Sequence, residues 1–142
     1  MSEQQDVLFY VLNSHLPQER EAFLHRLINK IWQERRHCDV RFESVDDARR
    51  YDLALWDAKP QSFIPHGLGK HPAPIRLYND NIADPCGDVL INLHPEFFEH
   101  FKDYRRTIEV LDQSEYLIQM GRERWKAYKQ RNIEPTVHKI GF

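Results

Sequence analysis

Apolar and polar positions along this chain follow two periods in turn. Val7, Leu8, Phe9, Tyr10, Val11 and Leu12 form an unbroken apolar run, the pattern of a strand covered on both faces, and a central strand of a parallel sheet is expected there. Phe23, Leu24, Leu27, Ile28, Ile31 and Trp32 then recur at helical spacing behind Pro17, which predicts an amphipathic helix down to about Arg36. Cys38, Val40 and Phe42 alternate with polar neighbours, so a second strand is expected nearer an edge of the sheet. Ser44, with Asp47 three residues on, resembles a capping box and opens a helix that ends before Pro60.

Residues 59–74 contain Pro60, Pro65, Gly67, Gly69, Pro72 and Pro74 and read as loop or short irregular structure. Strands follow at Ile75–Tyr78 and Val89–Leu93, a short helix from Pro95 through Phe97, Phe98 and Phe101, a strand at Thr107–Leu111 and a last long helix from Ser114 to about Arg131. Strands alternating with helices predict an α/β chain: a single three-layer α/β/α domain over residues 1–142, with a mostly parallel sheet of about five strands.

Composition narrows the class. An apolar content of 41% with 30% charged residues is that of an ordinary globular chain. No apolar run reaches the length of a membrane span and the first residues are polar and acidic, so a cytoplasmic protein is expected. Cys38 and Cys86 form no closely spaced pair, and the eight histidines fall into no HxH, HxxxH or HExxH pattern, so neither metal nor cofactor is expected. The net charge of −2 hides an asymmetry: from Gly121 to Lys139 six basic residues stand against two acidic ones. A basic end on an otherwise acidic chain suggests an anionic partner there.

Catalytic patterns are missing where an α/β fold would carry them. The first turn after a strand, Asn13-Ser14-His15-Leu16-Pro17, has no glycine, and the first glycine of the chain is Gly67. Neither GxGxxG nor GxxxxGK[ST] occurs, so the backbone has no loop of the usual kind to bring against a phosphate. Ser14 beside His15 suits a helix cap better than a nucleophile, Cys38 lies in an apolar strand pattern, and Asp46 and Asp47 sit where carboxylates favour a helix start. A binding module is the better class.

Two segments carry a resemblance. Residues 54–68, ALWDAKPQSFIPHGL, and residues 122–129, RERWKAYK, resemble motifs of the DNA polymerase III chi subunit family, and VLFYVL and DVLINL are similar to its strands in order and spacing. The resemblance implies a non-catalytic accessory subunit of the replicative polymerase holoenzyme. One surface of such a subunit binds the psi subunit of the clamp-loader assembly and another binds the C-terminal tail of single-strand-binding protein; nucleic acid is met only indirectly, and no membrane is involved. Carried onto this chain, the psi-binding residues are Trp56, Pro60, Phe63 and Pro65. Those for the tail are Arg122, Ile118, Leu111, Trp125, Lys126 and Lys129. Ile118 departs from the family by standing where a basic residue can occur.

Each assignment has a blander counterpart. Trp56 and Phe63 suit a core as well as an anchor, since large aromatics are usually inside. Leu117, Met120 and Tyr128 form a core stripe on the last helix, while Ile118, Arg122, Trp125 and Lys129 fall at i, i+4, i+7 and i+11 on a neighbouring, half-cationic face. Direct binding of single-stranded nucleic acid is the alternative function, with Arg122, Lys126, Lys129 and Arg131 on phosphates and Trp125 stacked on a base.

Overall fold

The computed structural model describes residues 6–56, 64–69, 73–79, 82 and 84–141. The strands are β1 (Asp6–Leu12), β2 (Cys38–Arg41), β3 (His66–Leu68), β4 (Ile75–Tyr78), β5 (Val89–Asn92), β6 (Arg106–Leu111) and β7 (Thr136–Ile140). The helices are α1 (Pro17–Gln33), α2 (Val45–Trp56) and α3 (Glu115–Lys129), with a 3-10 segment at Glu99–Asp103. All strands join one sheet in the order β3-β4-β2-β5-β6-β1-β7. Every pairing is parallel.

Strand alternation sends successive residues to opposite faces. On one face Cys38, Val40, Ile75, Leu77, Val89, Ile91, Ile108 and Val110 meet Leu24, Leu27, Ile28 and Ile31 of α1 and Ala48, Tyr51 and Leu55 of α2. On the other, Val7, Phe9, Leu90 and Leu111 meet Leu117, Met120 and Tyr128 of α3, with Phe98, Phe101 and Tyr104 of the 3-10 region. The result is three layers, as the pattern of elements predicts. Ser44 caps α2, its Oγ accepting the Asp47 N–H at 3.1 Å, and Pro17 opens α1.

Four expectations are corrected. Among the described residues the sheet has seven strands rather than about five. One extra strand, β3, lies inside the stretch expected to be loop, and the other, β7, follows the last helix. β2 is central, flanked by β4 and β5; its polar residues Asp39 and Arg41 are buried and paired instead of facing water. The short helix begins at Glu99, four residues after Pro95, and is 3-10.

Candidate interaction surfaces

α3 is built to seat one face and offer another. Ser114 and its neighbour Asp112 brace its start, the Asp112 carboxylate accepting from the Ser114 N–H at 2.9 Å and from Oγ at 2.6 Å. Glu115 in the first turn and Lys126 and Lys129 in the last suit the helix dipole. The inward face is Leu117, Met120, Gly121, Arg124 and Tyr128. Gly121 permits a close seat: a Cβ there would stand 2.7 Å from Leu111 Cδ1.

Arg124 belongs to this inward face, not to the surface its charge suggests. Its Nη1 donates to Glu109 Oε1 at 2.6 Å and its Nη2 to the His94 carbonyl at 3.1 Å, while the Tyr128 hydroxyl donates to Glu109 Oε2 at 2.8 Å. Burial pushes the Glu109 carboxyl up, and Arg124 and Tyr128 pull against that rise. Tyr128 is pushed well above a normal phenol by burial and by Glu109. Arg131 is also engaged, donating to Glu99 at 3.0 Å and to the Ala127 carbonyl at 2.8 Å, with its guanidinium 4.3 Å from the Phe97 ring centre.

The outward face keeps Arg122 and Lys126 exposed, with Ile118 and Trp125 half-buried. Lys129 is exposed and paired with Glu134 at 2.5 Å. Trp125 meets Phe9 of β1 edge to face, at 5.6 Å between ring centres. Phe9 is in register with Val137 of the edge strand β7, and Val11 with Lys139. A helix returning between parallel strands runs against them, so Arg122, which precedes Trp125, lies toward the same end of the sheet as Lys139. The Ile140 carbonyl accepts the Asn13 N–H at 2.9 Å, so alternation turns the backbone N–H and C=O of Val137 and Lys139 to the open side of the edge. Leu111 is buried under Gly121 at the foot of this region. Together these residues make a half-apolar, cationic border between α3 and one sheet edge. Val137 and Lys139 were not singled out from the sequence, because β7 was not.

The opposite edge has a different chemistry. Trp56 ends α2 with 52% of its surface exposed, Leu53 one turn earlier is 68% exposed, and Leu68 on β3 is 41% exposed. The Trp56 ring sits 4.5 Å from the His66 ring. His66 is buried, with Nδ1 at 2.7 Å from the Ile64 carbonyl and Nε2 at 3.1 Å from the Asp52 carbonyl, so it ties β3 to the end of α2. Strand alternation puts Leu68 on the same side as His66. Pro65 is half-buried beside them, while Pro60 and Phe63 lie outside the described residues. Sequence reasoning found Trp56 and Pro65 here and missed Leu53, His66 and Leu68.

The two groups stand at opposite edges of the sheet, six strand spacings apart, roughly 29 Å at about 4.8 Å each. The structure therefore does not bring them together. The sequence profile described as DNA polymerase III chi subunit, HolC, matches residues 5–136. The chain belongs to the DNA polymerase III chi subunit family. Curated relatives named DNA polymerase III subunit chi include that of Pseudomonas aeruginosa, 29% identical over 139 residues, covering 93% of this chain and 94% of the relative. That of Escherichia coli is 27% identical over 130 residues, covering 85% and 88%, and that of Haemophilus influenzae 26% identical over 140 residues, covering 94% and 96%. Membership makes this chain a replication accessory subunit. Among the described residues no helix is long and apolar enough to cross a membrane, and no group of three or more His, Cys, Asp or Glu is placed to hold a metal ion.

Proposed function

We propose that this chi-family chain is a non-catalytic, cytoplasmic adaptor, folded as one domain, that bridges the psi subunit and the C-terminal tail of single-strand-binding protein. The observation that carries this reading is the pair of chemically distinct exposed surfaces at opposite sheet edges. The Trp56, Leu53 and Leu68 patch suits an apolar partner surface, where a large aromatic serves as anchor. Pro60, Phe63 and Pro65 belong to the same segment and complete the psi assignment.

The border of α3 and β7 suits an acidic peptide that ends in an aromatic residue and a free carboxylate, as the family resemblance implies for this tail. Arg122 offers the carboxylate a planar fork of donors. Ile118 and Trp125 supply apolar contact above Leu111, and Lys126, Lys129 and Lys139 attract the upstream acids. Direct nucleic-acid binding is less favoured, because Arg131 is engaged internally and Trp125 is half-buried against Phe9; DNA titrated without single-strand-binding protein should bind only weakly.

The decisive experiment titrates a labelled tail peptide against wild type and Arg122→Ala, with a peptide lacking its terminal aromatic as control. Arg122→Ala should cost roughly 1.5–3 kcal/mol, about ten- to a hundredfold in affinity. Equal affinities in all pairings would overturn the tail assignment. Trp56→Ala should cost about 2 kcal/mol or more of psi affinity and leave peptide binding intact.

A further inference from the structure

A well-formed depression lies outside the carboxyl ends of the strands. From β1 the chain passes through α1 to β2, three places toward the β3 edge; from β6 it passes through α3 to β7, two places toward the other edge. α1 and α3 lie on opposite faces. The crossovers therefore diverge between the adjacent strands β1 and β6, and an open parallel sheet leaves a crevice at such a point. Here the crevice is a cleft of about 320 Å³, at the lower end of small-ligand sites. Its frame is preformed: the Gln113 N–H donates to the Ser14 carbonyl at 2.8 Å and the Gln113 side chain to the Leu12 carbonyl at 3.1 Å, stitching the two loops together.

We infer that this cleft binds an organic cation carried on an apolar body. Leu24, Phe42, Leu93, Leu117 and Met120 supply an apolar lining. Tyr51 also lines it; the residue is 99% buried by its 1% exposure, and its hydroxyl has no hydrogen-bond partner among the described residues. A buried hydroxyl left without a partner costs free energy, and a ligand N–H supplies what the protein does not. The charges in the lining select the sign, since the carboxylates of Glu21, Glu43, Asp47 and Asp112 outnumber the guanidiniums of Arg20 and Arg50. Arg20 is committed to the Val110 carbonyl through Nε and Nη2, at 3.0 and 2.8 Å, and Arg50 to Glu21 at 3.2 Å. The carboxylates of Glu43 and Asp47, also in the lining, have no ion-pair partner among the described residues. The acidic first turns of α1 and α2, with Glu19 and with Asp46 and Asp47, offset the dipoles that would otherwise favour an anion. The inference is independent of the adaptor reading.

The test uses three probes of one shape and different charge: benzamidine, benzamide and benzoate, titrated into the full chain by amide-resolved NMR. A fourth, acetyl-leucyl-arginine amide, distinguishes a cation delivered on a peptide from a free one. Saturable shifts confined to residues around Ser14, Leu93 and Ser114, with benzamidine or the arginine peptide bound at least about tenfold tighter than benzoate, are expected. Tyr51→Phe should weaken binding about fivefold without lowering the melting temperature, and the double variant Glu43→Gln, Asp47→Asn about tenfold. No saturable shift with either cation, equal binding of benzoate, or affinity unchanged in both variants would overturn the proposal.

Discussion

The two faces of the sheet are made by alternate residues of the same strands, yet they hold their helices by different physics. Toward α1 and α2 the strands present Val40, Leu77, Ile91 and Val110, all hydrocarbon and all within 1% of complete burial. Toward α3 they present, beside Val7, Phe9, Leu90 and Leu111, the polar residues Asp39, Arg41, Asn92 and Glu109, none more than 5% exposed. Apolar area holds a helix without fixing its rotation, because the hydrophobic effect has no direction. Hydrogen bonds do fix it. Arg124 and Tyr128 converge on the two oxygens of Glu109, so the face of α3 that carries Arg122 is aimed by a pinned polar contact beneath it. Asp39 plays the same part farther along the sheet, accepting from Arg76, the Cys86 N–H and the Tyr104 hydroxyl. The orientation of α3 is thus specified by a buried polar contact as well as by apolar area.

This contrast can be broken by substitution. Arg124→Ala leaves Glu109 as a buried carboxylate with one donor fewer and should destabilise by about 3–5 kcal/mol in urea unfolding. A loss near the ~0.5 kcal/mol of an ordinary surface change would mean that area alone seats α3. On the apolar face, Ile28→Ala should cost about 3 kcal/mol through the cavity it opens, and tail-peptide affinity per folded molecule should stay unchanged. Tyr104→Phe withdraws one donor from the Asp39 carboxylate and should cost roughly 1.5–2 kcal/mol, read from the same denaturation curves.

The smallest effect belongs to neither face. Arg36 donates to Asp88 at 2.5 Å, and Asp88 also accepts the His37 N–H at 3.2 Å, closing the turn after α1 onto the start of β5. Burial pushes the Asp88 carboxyl up, but the bonds from Arg36 and His37 outweigh it and hold the group below its ordinary value of 3.8. The folded value is thus the lower one. Its contribution to stability is present above about pH 4 and is lost as pH falls through the folded value. Asp88→Asn should accordingly be less stable than wild type at pH 7 and converge on it in acid, as followed by thermal unfolding across pH.

How much could be read without coordinates depended on whether a residue's pattern had one physical meaning. The run Val7–Leu12 did, since a short apolar run rich in β-branched and aromatic residues suits a strand covered on both faces. Cys38–Phe42 did not: alternation with polar neighbours reads as a strand nearer an edge, whereas β2 is central and Asp39 and Arg41 face a second, polar-lined interior. β3 is three residues around Gly67 in a proline-rich stretch, and four of the five residues of β7 are exposed, so neither carried a burial signal. Among the site residues, Arg122 and Trp125 were legible from helical spacing. Arg124 enters the sequence reading only in the charge balance of residues 121–139, although its place four residues after Met120 and four before Tyr128 puts it in the core stripe. Leu53 and Leu68 gave no sign, because exposure of an apolar side chain is a tertiary fact.

The opposite placement of the two edge surfaces has a kinetic meaning if both are occupied as proposed. Neither occupant obstructs the other, and each is held at a fixed separation of roughly 29 Å across a rigid parallel sheet. Where the two occupants are themselves joined, an occupant held at one edge presents its companion to the other at an effective concentration in the millimolar range, provided the connection spans the gap. Weak individual contacts would suffice for retention while each remained free to exchange, so release and recapture at one edge need not cost the complex its hold at the other.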